Sequence, residues 1–99
     1  LDGSLSPFDQ IKEISDKFGD KVEIILDGGI RRGTHVIKAL AAGAKACSFG
    51  KGYLFSLSAG GQKGVEKMLQ NMFNEIERNM KLMGCKNLKE LNFSKLAYR

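Results

Sequence analysis

The chain has 99 residues, 42% of them hydrophobic and 27% charged, with a formal net charge of +5. That length allows one domain with a modest core and excludes a complete eight-unit barrel within these residues, while the composition excludes a low-complexity chain and any apolar stretch able to span a bilayer. The positive charge does not point to nucleic acid, because the lysines alternate with Glu66, Glu75, Glu77 and Glu90 instead of forming a basic run interleaved with aromatics.

The opening residues Leu1-Asp2-Gly3-Ser4 have neither a basic nor an apolar signal region and no initiating methionine, so the start reads as internal to a longer protein. Ser6, Pro7 and Asp9 then supply a cap, a first-turn proline and a first-turn acid. Phe8, Ile11, Ile14 and Phe18 recur at helical spacing, which predicts an amphipathic helix ending at Gly19. The run Val22-Glu23-Ile24-Ile25-Leu26 predicts a short buried strand that stops at Asp27-Gly28-Gly29.

A second helix is expected from Gly33 or Thr34 to Ala42, closing at Gly43, and a second strand from Ala44 to Phe49, ending at Gly50-Lys51-Gly52. Helix, strand and Gly-rich loop thus occur twice, the order of parallel β/α units with both loops at the strand C-termini. Tyr53-Leu54-Phe55 could begin a short helix that Ser58-Ala59-Gly60-Gly61 breaks. The longest helix is expected from Gln62 to Met83, with Val65, Met68, Leu69, Met72, Phe73, Ile76 and Met80 as a packing stripe and Gly84 as its stop. Asn87 to Glu90 has capping-box spacing for a final turn before a tail from Phe93 to Arg99.

A phosphate group requires converging N–H donors, close backbone approach and positive charge. Gly28 and Gly29 remove side chains from the approach, the next helix N-terminus offers amides, Arg31 offers a planar fork, and Lys51 adds charge from the neighbouring strand end. On these residues alone the choice between a phosphate site and a structural turn with exposed basic residues stays open, and the second loop at the matching strand end favours the phosphate. Loops after the last two strands of β/α barrels commonly form such sites. Cys47 and Cys85 are isolated thiols and the single His35 has no partner cluster, so no metal site is expected and a reduced, cytoplasmic setting is.

The blocks Asp27-Gly28-Gly29-Ile30-Arg31-Arg32-Gly33-Thr34, Val36 to Ala44, Gly50-Lys51 and Leu57-Ser58-Ala59-Gly60-Gly61 resemble the C-terminal part of the FMN-dependent α-hydroxy-acid dehydrogenases and oxidases. The likeness runs on through Gly64-Val65-Glu66 and Met83-Gly84-Cys85 to Leu88-Lys89-Glu90-Leu91, covering nearly the whole chain. It implies an α/β fold: residues 1–99 would be the C-terminal fragment of a TIM (β/α)8 barrel, two parallel strands with helices plus a C-terminal helical extension. It also implies that Asp27, Gly28, Gly29, Ile30 and Arg31 wrap the FMN ribityl-phosphate, with Arg31 on the phosphate, and that Gly50 and Lys51 contribute from the last strand.

The activity implied is oxidation of an L-2-hydroxy acid, L-lactate first, to the 2-oxo acid by hydride transfer to FMN. The alternative is a truncated or split-gene remnant without catalysis that binds phosphate-bearing ligands or a complementary barrel fragment. Two departures stand out: the family usually has arginine at Lys51 and aspartate at His35. The family's catalytic histidine and carboxylate-binding arginine belong to a segment just before the position of Leu1, so no catalytic residue is assigned here, and His35 is read as a surface or capping residue. Family membership further implies a homo-oligomer and admits a peripheral place at the inner membrane.

Overall fold

The computed structural model describes residues 2–97. In chain order these form α1 (Pro7–Phe18), β1 (Ile25–Asp27), α2 (Gly33–Ala41), β2 (Ala46–Ser48) and α3 (Lys51–Leu82), then two single-turn 3-10 helices, Leu88–Glu90 and Phe93–Lys95. The strands pair in parallel, with Ile25 opposite Ala46, Leu26 opposite Cys47 and Asp27 opposite Ser48. A parallel pair needs a crossover, and α2 provides it.

The first helix runs as its sequence predicts, with Pro7 in the first turn and Gly19 as C-cap, although Ser6 caps without a side-chain bond. Only Ile11 of its apolar stripe is buried, whereas Ile14 and Phe18 are exposed. Both strands are shorter than expected. Val22 lies outside β1 and is exposed, and Asp27, read as the first residue beyond the strand, is its last. Three residues on each side are all that the pairing of one neighbour fixes.

Side chains alternate across a strand, so Leu26 faces the helices while Ile25 and Asp27 share the opposite face. Leu26 is buried and Ile25 is 64% exposed, which leaves that opposite face bare. Two clusters flank α2. Ala39 and Ala42 pack with Ile11, Leu26, Ile30 and Ala44 on one side. Ile37 and Ala41 pack with Cys85 and Leu91, joined by Ile76, Met80 and Met83 from the last helix and the turn after it, on the other.

The largest departure concerns α3. It starts at Lys51, and Ser58 to Gly60 continue it; only Gly61 is non-helical, with φ 59° and ψ −146°, a kink inside one long element. Ser and Ala are tolerated in helices, and only a residue free to take positive φ is needed at the bend. The apolar stripe beyond the kink is partly covered: Met68, Met72, Ile76 and Met80 are half-buried, whereas Leu69 and Phe73 are exposed.

The expected turn forms, but not through a reciprocal capping box: the Asn87 side chain accepts the Lys89 N–H at 3.0 Å and Glu90 accepts the Lys86 N–H at 2.7 Å, each one residue away from the N3 and N-cap partners of such a box. The tail forms one further turn because Asn92 repeats the device with the Ser94 N–H. Tyr98 and Arg99, and Leu1 at the other end, lie outside the described residues.

Candidate functional site

Because Asp27 and Ser48 are register partners, the segments that leave β1 and β2 emerge side by side at the C-terminal edge of the sheet. From β1 comes Gly28-Gly29-Ile30-Arg31; from β2 comes Phe49-Gly50, which leads directly into Lys51 at the start of α3. The arrangement gathers both glycine loops, as the β/α pattern requires.

Gly28 and Gly29 have φ of 98° and 76°, a region that L side chains avoid, so the turn after Asp27 depends on both. A Cβ added at Gly29 or at Gly50 would meet no atom within 4 Å, which leaves open space in front of both loops. Ile30 behaves differently from its neighbours. Its side chain is 5% exposed and belongs to the core around Leu26, so it anchors the loop and offers the site only backbone.

Arg31 follows that anchor with an exposed side chain, and its guanidinium makes no ion pair or hydrogen bond among the described residues. Its backbone N–H donates to His35 Nδ1 at 3.2 Å. Arg32 is engaged. Its Nε and Nη2 donate to Glu75 Oε1 at 3.0 and 2.5 Å, while Glu75 Oε2 accepts the Gly33 N–H at 2.8 Å. The Arg32 guanidinium holds the Glu75 carboxyl below the usual glutamate range, against an opposing effect of its burial.

This interlock corrects one expectation. The N-terminus of α2 was a source of amides for the phosphate, yet its first N–H is taken by the protein's own carboxylate. Gly33 is fixed by packing as well, since a Cβ there would lie 2.7 Å from the Met72 carbonyl oxygen and 2.9 Å from the Ile76 nitrogen. Glu75, one of the acids interspersed among the lysines, reaches Gly33 from 42 residues further along the chain, and no local pattern marks it.

The other helix N-terminus is open. Gly50 caps α3 without a side-chain bond, and the first turn holds no acid. The orphan amides of that turn and the positive end of the helix dipole therefore remain available, with Lys51 exposed among them. Asp27, on the bare face of the sheet, is exposed and free to accept from hydroxyl groups. The assembly suits a ligand with a phosphate at one end and a hydroxylated chain beside it.

Other groups stand apart from this edge. Cys47 sits in β2 with its thiol pushed up by burial, which suits a packed, unreactive side chain. Among the described residues no cluster of His, Cys, Asp and Glu is placed to hold a metal ion, and no helix is long and apolar enough to cross a membrane.

Comparison with known proteins agrees with the geometry. The profile of the FMN-dependent dehydrogenases matches residues 1–98. An L-lactate oxidase of Nostoc sp. is 43% identical over 94 residues, 95% of this chain and 26% of that protein. The glycolate oxidase of Spinacia oleracea is 45% identical over 87 residues, 88% of this chain and 24% of that enzyme. Among solved structures, a doubly substituted flavocytochrome b2 with sulfite bound superposes with a TM-score of 0.89 at 39% identity, over 98% of this chain and 26% of its own. The chain spans about a quarter of the length of these relatives.

Proposed function

The chain belongs to the family of FMN-dependent dehydrogenases that oxidise 2-hydroxy acids, whose cofactor is FMN, and we propose that it is the part of such an enzyme that anchors the FMN phosphate. The observation that carries the reading is the shared strand edge: Asp27 and Ser48 are paired, so the loop that carries Arg31 and the open first turn of α3 leave the sheet side by side, and among the described residues neither Arg31 nor Lys51 is held in an ion pair. Residues and ligand fit. The positive-φ glycines and the open space at Gly29 and Gly50 admit a phosphate close to the backbone.

In this reading Arg31 takes two phosphate oxygens through its fork, and the Gly50 and Lys51 amides with the Lys51 ammonium complete the cradle. Gly28 and Gly29 let the backbone approach, Ile30 holds the loop from below, and Asp27 accepts from the ribityl hydroxyls. When bound, FMN supplies the acceptor for a hydride. The residues here bind and orient it; the groups that hold a substrate and take its proton belong to further parts of a longer protein.

The architecture proposed for that protein is a (β/α)8 barrel of which residues 1–99 are the C-terminal part. The bare sheet face at Ile25 and Asp27 supports it, because in a closed barrel that face points inward and is covered. The substrate proposed is an L-2-hydroxy acid, L-lactate first, with the cytoplasm as its place and further barrel units or a second copy of the chain as partners. Arg31→Ala is expected to weaken FMN binding about thirtyfold or more, the loss of a charged bidentate contact. A fluorescence titration giving the same affinity for both proteins would refute the assignment, and bleaching of bound flavin by L-lactate in the full-length protein tests the substrate.

A further inference from the structure

His35 occupies the first turn of α2, half-buried, and lines the same depression as Gly28, Gly29 and Ile30. Its Nδ1 accepts the Arg31 backbone N–H at 3.2 Å, so the ring reaches back four residues onto the loop that precedes its own helix. We propose that His35 is a positioning residue for the anion loop: as the neutral Nε2–H tautomer it holds the Arg31 amide through Nδ1 and so fixes the direction in which the Arg31 guanidinium leaves the backbone. The proposal rests on the reading of Arg31 as a phosphate ligand.

The argument follows from how the loop is held. On one side Ile30 is buried in the core; on the other Arg32 and Gly33 are tied to Glu75. Arg31 lies between these two fixed points, preceded by two glycines that impose little restraint of their own. The bond to His35 is the hydrogen bond that restrains its peptide plane on the N–H side. A peptide free to tilt would swing a long side chain through several ångströms at its tip, and a bidentate contact tolerates little such error. An N–H donor needs an unprotonated ring nitrogen, which places the ring proton on Nε2.

Asparagine and glutamine separate this role from general packing. Asparagine can present its Oδ1 close to where Nδ1 stands, whereas the longer glutamine places its oxygen nearer Nε2. With FMN as the probe, His35→Asn is expected to stay within about twofold of the parent chain and His35→Gln to bind about tenfold more weakly, the effect of one hydrogen bond. Equal affinities for the two variants overturn the role. A second measurement needs no variant: long-range 1H–15N NMR of the labelled parent chain in mildly alkaline solution is expected to show the Nε2–H tautomer, and a dominant Nδ1–H tautomer overturns the proposal. Absence of FMN binding by the parent chain overturns the flavin reading instead, and the tautomer then decides the His35 to Arg31 link by itself.

Discussion

The two strand ends at the C-terminal edge are built from the same unit, yet they finish differently. After β1 the chain turns through two glycines into a helix whose first amide is already bonded to Glu75. After β2 it enters a helix whose first turn carries no acid and no side-chain cap. One N-terminus is closed by the protein and the other is left open. The difference teaches that a glycine loop before a helix is not by itself an anion site. What decides is whether the chain supplies its own carboxylate, and here the β1 side contributes a fork and loop backbone while the β2 side contributes the helix end.

The closed end can be broken most severely at Gly33. Gly33→Ala forces a methyl against the Met72 carbonyl and the Ile76 nitrogen, both backbone atoms of α3, and is expected to cost about 3 kcal/mol as the helices separate, read from urea unfolding. A loss below about 0.5 kcal/mol would show that the two helices are not held in this contact. At the open end, Lys51→Ala should weaken FMN binding about tenfold, whereas Lys51→Arg should strengthen it a few-fold, because its planar fork can hold two phosphate oxygens at once. Identical affinities for alanine and arginine would remove Lys51 from the cradle.

The smallest effect belongs to the pH dependence of the closed end. Hydrogen bonding to Arg32 lowers the folded-state pKa of Glu75, so its contribution to stability is present in full above the ordinary glutamate value and is lost as pH falls through the lowered one. Glu75→Gln should therefore flatten part of the acid limb of a thermal melting series below about pH 4.5. An unchanged acid limb would mean that the ion pair adds nothing to the bond with Gly33.

Much of this was legible in the residues. Proline and glycine mark both ends of α1 because they act locally, and Asp27-Gly28-Gly29 marks its turn for the same reason. Strand limits were not legible, since they depend on how much of a neighbour is present to pair. Ser58 to Gly61 suggested a break where the chain makes only a kink, because small residues weaken a helix without ending it when its flanks propagate. Glu75 was hidden by sequence distance. His35, read as a surface or capping residue, does reach back as a cap would, but its partner, the Arg31 N–H four residues earlier, was not legible, because the contact is a variant of the capping-box spacing.

The Glu75 contact also acts as a ruler. One helical turn is about 5.4 Å, and the residues four before and four after Glu75 are Asn71 and Asn79. Were α3 to slide by a turn in either direction along α2, an uncharged amide would meet Arg32 and no carboxylate would reach the Gly33 N–H. The chain thus spells out a single sliding position for its long helix, with neutral residues standing at both neighbouring notches.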